Sequence, residues 1–394
     1  MAPHTLPHGF SPSSIDIPAS FSGIIQSAPD GKPIISTDLV LSSPLPDDIV
    51  VRNMMVAINP CDWKMNLRFP SPGARVGCDL YGEVLAIGPQ VKARRPDIQI
   101  GDRVCGAVYG SNPTDHGSGS FCDFVCAPVD LMTRLPVDFE DGAGAALGGT
   151  SFATLRLALW DSLGLSATPA HPLDSTKPAP HVLVYGGSTA TGTMALQLLR
   201  LYVVIIIYKY MWLTEDRSGY KPITTCSPHN FDLVKSRGAE AVFDYHSATC
   251  AADIKTYTRS SLGHVLDIIT DISSQAICHG AMGRLGGKYT ALEAPSNALN
   301  PRKRTVRTDF VIGLCALGTE VALEGEYHRQ ADKEARRHVG QFFDEMQEFV
   351  DAGKVMPHPH RLLKEGYENI LKGIEDLRQG KISGEKLVGC ISSH

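Results

Sequence analysis

The sequence predicts an α/β protein with two domains, a barrel-like β domain and a doubly wound parallel sheet. Three observations carry that expectation. At 394 residues the chain exceeds what one ordinary core organises. From about residue 33 to 135 short β-rich runs alternate with turn signals. From residue 181 onward strands and helices alternate, as in a parallel sheet covered on both faces.

Composition narrows the function classes. With 43% hydrophobic and 20% charged residues the chain reads as globular. Its 37 Lys and Arg against 42 Asp and Glu create no global field for nucleic acid or an anionic membrane. Ten scattered cysteines, with no repeated C-x-x-C, fit free thiols in a reducing compartment. The opening "MAPHTLPHGFSPSSIDIP" has neither a basic n-region nor an apolar h-region, so it reads as a flexible lead-in and the chain as cytoplasmic. The longest apolar run, Tyr202 to Leu213, is interrupted by Lys209 and is shorter than the roughly 20 residues a membrane span needs.

Taken in order, "DIVVRNMMVAI", "GEVLAIG", "GDRVCGAVYG" and "SFCDFVCAP" are the barrel-like strands. "DGAGAALGGTSFATLRLALWDSLGL" has small and apolar residues at helical spacing, and "SATPAHPLDSTKPAPH" is a Pro-rich linker. "HVLVY" is a buried strand, and Gly186 to Gly192 turn it into the helix "TMALQLLRL". "KPITTC" is the second strand, "FDLVKSRGAE" a helix and "AVFDY" the third strand. The tail from about 336 reads as helix, strand, helix, strand, with Phe342, Phe343, Met346, Phe349 and Val350 on a buried helix face.

The glycine turn predicts a phosphate cradle. Gly187, Ser188, Thr189, Ala190 and Thr191 let a pyrophosphate approach free N–H groups at a helix N-terminus, where the helix dipole favours negative charge. A tight strand-to-helix turn is the other reading, because the motif departs from strict G-x-G-x-x-G. At the end of the second strand an NAD site usually carries an acid for the ribose 2′-hydroxyl. Here Ser227, Pro228, His229 and Asn230 stand there, which points to NADPH. Lys235 and Arg237 are either phosphate partners or a solvated helix face. Tyr245 either meets the adenine end or is an ordinary half-buried tyrosine.

The segments "INPCDWKM", "VYGGSTATGT", "TCSPHNFDLVKSRGAEAVFDY" and "SGEKLV" resemble the trans-acting enoyl reductases that partner fungal polyketide synthases, including hybrid polyketide-peptide synthetases. These belong to the medium-chain dehydrogenase/reductase superfamily, and the match runs over nearly the whole chain. The resemblance implies a GroES-like β-barrel catalytic domain over 15–165 and 336–394, with a Rossmann doubly wound parallel-sheet cofactor domain over 166–335. It implies NADPH-dependent reduction of the α,β-double bond of carrier-bound polyketide intermediates in secondary metabolism. The implied partner is an acyl carrier domain, with neither nucleic acid nor membrane. A stand-alone NADPH-dependent quinone or enone reductase and a non-catalytic NADPH-binding protein are the rival readings.

By the same resemblance Cys61, Asp62, Trp63 and Lys64 line the cofactor and substrate cleft, and Ser383 and Gly384 join the cofactor contacts. Lys64 is a candidate charged contact or a surface lysine. Asp62 has the equal alternative of capping "WKMNL". The hydroxyl-bearing stretch beside the reacting carbon matches "LGGTSFATL", which makes Thr150 and Ser151 candidates, with Phe152 where threonine is common. Gly286 and Gly287 either pass close to the nicotinamide or form a plain turn. Arg302, Lys303 and Arg304 either meet a phosphopantetheine or acidic carrier domain or are solvated.

No metal is expected. Alcohol-oxidising members of the superfamily bind zinc through Cys and His or Glu, and zinc needs about four converging ligands. Cys61 stands near the first ligand, but the Gly-His-Glu segment reads Gly77-Cys78-Asp79, and Cys105, Cys122 and Cys126 are dispersed.

One segment breaks the pattern. Helix-to-strand connections in such folds run about 2–6 residues, yet Tyr202 to Arg217 separate "QLLRL" from the second strand. Removing these residues restores the family join, and "YVVIIIYKYMWLTEDR" matches neither neighbour. The expectation is a translated intron, against a real surface insertion. Leu201-Tyr202-Val203 can be encoded through GTATGT and Leu213-Thr214 through CTGAC, common fungal donor and branch-point sequences. Transcript sequencing decides it.

Overall fold

The computed structural model describes residues 5–13, 17–167, 173, 178–209 and 219–391, with backbone alone for 201–209 and 297. The chain divides into two compact units, Met1–Ala153 with Leu314–Gly353 and Pro357–His394, and Thr154–Gly313 with Lys354–Met356.

The first unit is built on strands that alternate between partners. Asp48–Ala57 pairs antiparallel with Asp79–Ile87 on one side, and on the other with Phe124–Pro128 and then Lys386–Cys390. Ile49, Val50, Val51 and Val56 are fully buried, because β-branched side chains fill both faces of this central strand. Arg103–Ala107 and Met132–Arg134 extend the sheet, and Phe21–Gln26 with Pro33–Leu39 forms a separate antiparallel pair. The helix Lys333–Asp351 buries Phe342, Phe343, Met346, Phe349 and Val350, the stripe its 3.6-residue spacing predicted.

The second unit is a six-stranded parallel sheet. Its spatial order is Ala241–Phe243, Lys221–Thr225, His181–Tyr185, His264–Asp267, Gly287–Ala291, Val306–Phe310. Tyr185 registers with Thr225 on one side and Asp267 on the other, so the strand order reverses at the first strand. That crevice, outside the carboxyl ends, is where ligands bind in open α/β sheets. Val182, Leu183 and Val184 are fully buried, as expected of a strand covered on both faces.

The units part at Ala153 and Gly313 rather than at the anticipated 165 and 335. Residues following Thr154 are tied to the parallel sheet, since Ser162 Oγ bonds Thr290 Oγ1 at 2.7 Å and Asp309 Oδ2 at 2.8 Å. Residues after Leu314 are tied to the first unit, since the Tyr327 ring lies 5.3 Å from Phe69 and its hydroxyl accepts from Arg68 Nη1 at 2.6 Å.

The helix after the glycine turn runs from Ala190 to Lys209, past the anticipated end at Leu201. The intruding segment has no stop signal, and β-branched residues lower helix propensity without forbidding it. Residues 210–217 of that segment lie outside the described residues.

Candidate active site

In the second unit the cradle is made by three glycines. Gly186 has φ +89°, a left-handed conformation that L side chains rarely adopt. A Cβ on Gly187 would collide with Thr224 Oγ1, and one on Gly192 with the Gly186 carbonyl. The motif departs in spacing from the familiar fingerprint but keeps two of its physical demands, the tight turn and close packing of helix on strand. Thr189 is drawn into the cap. Its Oγ1 donates to Gly186 O at 2.8 Å and accepts from Gly192 N at 2.9 Å. Ser188, Ala190 and Thr191 are half-buried around it. Glycine at 187 is required by packing on the second strand, since the Thr224 side chain fills the place a Cβ there would take.

The ends of the second and third strands meet. Ser227 Oγ lies 3.1 Å from the Tyr245 hydroxyl, while Pro228 and His229 are exposed and Asn230 is buried. Lys235 is exposed, its Nζ 6.0 Å from the Phe231 ring, and burial lowers the pKa of the Arg237 guanidinium. The sequence reading passed over Asp244. Its carboxylate accepts from His246 N at 2.9 Å and pairs with His246 Nδ1 at 2.8 Å, which together hold its pKa below the ordinary carboxylate value.

Gly286 and Gly287 are not near the nicotinamide end. Gly286 precedes and Gly287 opens the strand Gly287–Ala291 at its amino end, opposite the cradle, where a Cβ would strike Thr305 O or Gly263 O. The turn reading holds there, because the neighbouring backbone leaves no room for a side chain.

The first unit holds a buried polar cluster gathered from four distant parts of the chain. Asp79, fully buried, accepts from Lys386 Nζ at 2.7 Å, Asn59 Nδ2 at 2.8 Å and Thr150 N at 2.8 Å. Lys386 Nζ also donates to Asn59 Oδ1 at 3.0 Å. Burial alone would raise the Asp79 pKa; the ammonium and the three hydrogen bonds overcome it and hold the carboxyl below its ordinary value. Gly148, at φ +66°, leaves space for this pair, since a Cβ there would lie 2.9 Å from Asp79 Oδ2. Gly149 packs on the backbone of Gly106. These two glycines bring Thr150 to the cluster. Thr150 Oγ1 is buried and has no hydrogen-bond partner among the described residues.

Asp62 is not the N-cap of its helix. Asn59 is, with Pro60 in the first turn, and Asp62 Oδ2 accepts from Asn59 N at 2.7 Å. Burial, with Asp79 adding to it, pushes the Asp62 carboxyl up to about 7. Trp63 is half-buried against the core, and Lys64 Nζ sits 5.9 Å from its ring centroid, within range of a cation–π contact. Ser383 and Gly384 form the turn two residues before Lys386, with Gly384 at φ +69°. Ser151 is buried, and Phe152 packs edge-on against Phe343 at 5.8 Å, which gives a core reason for phenylalanine there.

Cys61 Sγ lies 3.8 Å from Cys78 Sγ, and with Asp62 the two offer three ligand atoms within 4.8 Å of one another. The sequence reading sought imidazole and glutamate at 78–79 and missed this group. Its count matches an open zinc site, but its present bonds serve other ends. Asp62 closes the first helical turn, and the Cys61 thiol is held well above its ordinary pKa by its bond to Cys78 and by burial. Metal there would have to displace that turn contact and remove protons from both thiols.

Lys386 was the principal residue missed. Its signal was available: a lysine opening the apolar run "KLVG", the pattern of a charge inside a strand. Nothing local named its partner.

Residues 45–137 match the family described as alcohol dehydrogenase GroES-like domain. The chain is 51% identical over 98% of its length to the trans-enoyl reductase poxP of Penicillium oxalicum, 97% of which is covered. It is 45% identical over 96% of its length to the trans-enoyl reductase ccsC of Aspergillus clavatus, 98% of which is covered. Among solved structures it resembles the CurK enoyl reductase, with TM-score 0.67 at 15% identity over 94% of this chain and 99% of that one. A putative zinc-dependent alcohol dehydrogenase of Rhizobium etli aligns with TM-score 0.72 at 22% identity, covering 95% and 99%. Both likenesses show the shared fold.

Proposed function

Because the chain belongs to the trans-enoyl reductases, within the medium-chain dehydrogenase/reductase superfamily, we propose that it acts on polyketide intermediates tethered to the acyl carrier domain of a separate polyketide synthase or polyketide-peptide synthetase, using NADPH and no zinc. It is an oxidoreductase acting on a carbon–carbon double bond. The whole-length identity with fungal trans-enoyl reductases carries this reading. Among the described residues no helix is long and apolar enough to cross a membrane, and we place the reaction in the cytoplasm, beside the synthase.

An α,β-unsaturated thioester is already activated for addition at its β-carbon, so the protein's main task is to stabilise charge developing on the carbonyl oxygen. When bound, the reduced nicotinamide supplies the hydride. Thr150 is assigned the donor role: its hydroxyl is buried with no hydrogen-bond partner among the described residues, and its backbone is held by Asp79. Lys64, half-buried on Trp63, is assigned a charged contact to cofactor or substrate. Gly187 to Thr191 hold the pyrophosphate, and the Ser227–Tyr245 pair supports the phosphorylated cofactor.

The test is turnover of an enoyl pantetheine thioester by purified protein with NADPH and with NADH, alongside metal analysis. The expected result is a preference for NADPH with no zinc requirement. Equal use of NADH, or loss of turnover on removing bound zinc, overturns the corresponding part.

A further inference from the structure

Resting on the reading above, we infer that the amino-end surface of the parallel sheet docks an acidic face of the synthase, outside its carrier domain. Three loops, with the first residues of the strands they lead into, make this surface. Residues 258–264, 282–288 and 300–307 contain seven Arg and Lys, with His264 besides, and no Asp or Glu. The whole chain carries a net charge of −5, so this concentration runs against its overall balance.

The loops form one surface. Gly283 N donates to Leu262 O at 2.7 Å, Lys288 N to Gly263 O at 2.8 Å and Gly287 N to Thr305 O at 2.9 Å. Arg302 Nη1 reaches Gly283 O at 2.7 Å. Arg302 is therefore a strut, while Arg259, Arg284, Lys303, Arg304 and Arg307 are exposed and have no carboxylate partner among the described residues. The field registers on neighbouring groups: burial first, then Lys288, lowers the pKa of His264, and burial with Arg302 lowers that of His279. Leu285 stands amid these charges at 95% exposure. An apolar anchor within a charged rim is the anatomy of a protein interface.

Position and charge select the occupant. The strands end at the cradle on one edge of the sheet and begin at this surface on the other, about 17 Å away for five residues at ~3.3 Å each. A partner here does not present its chain to the cradle, so the contact holds the enzyme near its substrate and raises the effective concentration of the tethered chain. A second copy is a poor occupant, because a two-fold contact would set the same cations against each other. An acidic protein face meets both the charge and the leucine.

The test uses the full chain and three substrates: the intact synthase whose product changes on co-expression, its excised carrier domain bearing an enoyl group, and the free enoyl pantetheine thioester. The variant R284E/K303E/R304E/R307E is expected to raise KM for the intact synthase at least ~10-fold at physiological salt, with kcat unchanged and the other two substrates within about 2-fold. R284K/R304K/R307K, which keeps the charge, is expected to behave as wild type. An unchanged KM on the intact synthase overturns the proposal and leaves the enoyl reductase reading standing. Equal losses on the excised carrier, or on the free thioester, overturn it by moving the effect to the carrier or to folding. Duplex DNA binding as tight as synthase binding, lost in the same variant, overturns it in favour of a nucleic-acid surface. No turnover of the free thioester by wild type removes the functional reading and this proposal with it.

Discussion

The cradle and the buried cluster build their sites by opposite means. The cradle uses backbone: glycines at 186, 187 and 192 clear space, and one side chain, Thr189, closes the turn. The cluster uses side chains, with Asn59, Asp79 and Lys386 locking one another in a region almost sealed from solvent. A backbone site tolerates change in what surrounds it but no added atom within it. A buried charged site tolerates neither loss of a partner nor a change in protonation.

The sharpest way to break that contrast is Lys386→Met. It leaves the Asp79 carboxylate buried without its ammonium, and removing one partner of such a pair costs about 3–5 kcal/mol. Urea unfolding should show a loss of that order, and a change below about 1 kcal/mol would mean that water or Asn59 alone supports the charge.

Thr150→Val separates catalysis from folding within the same cluster. The hydroxyl has no hydrogen-bond partner among the described residues, so its removal should leave stability unchanged or slightly raised. Turnover of an enoyl thioester should fall about 10²–10³-fold if the hydroxyl is the donor to the developing oxyanion. An undiminished kcat would return the role to a backbone N–H.

Gly187→Ala tests the cradle alone. The added methyl meets Thr224 Oγ1, and overpacking of this kind costs about 1–3 kcal/mol. NADPH titration by fluorescence should show affinity weakened roughly 10-fold if that strain is carried by the bound state. Unaltered binding would mean that the strands part easily.

A smaller effect is expected from pH. Asp62 has a folded pKa of about 7, raised above its unfolded value, so the fold holds more protons than the unfolded chain between about pH 4 and 7. Its contribution to stability is full below the unfolded pKa and is lost as pH rises through 7. Asp48, pushed up to about 6 by burial, acts in the same sense. Asp79, held low, contributes the other way: its stability is present above the ordinary carboxylate pKa and is lost as pH falls through the folded value. Asp62→Asn should flatten the decline between pH 5 and 7 in thermal melts, and an unchanged slope would assign it elsewhere.

The smallest effect should follow deletion of residues 202–217. On the part of the helix before the intruding segment Met194, Leu196, Leu198 and Leu199 are buried, and Gln197 binds Met356 through bonds of 2.8 and 2.9 Å. NADPH affinity should stay within about 2-fold, while soluble yield rises because a "VVIII" run is removed. A collapse of affinity would show that the extension supports the sheet.

The sequence by itself determined the glycine turn, the alternating strands and helices and the buried stripe Phe342 to Val350. Each is a local pattern, read within a few turns of chain, where periodicity and glycine spacing express the physics directly. Tertiary structure decided what the scattered residues do. It turned Asp62 from a cap into the third residue of a capped helix and moved Gly286 and Gly287 to the far end of the sheet. It also joined Asn59 and Asp79 to Lys386 across more than three hundred residues. A buried charge is stable only with its partner, and nothing in local spacing names a partner that the chain reaches only after folding both halves of a barrel.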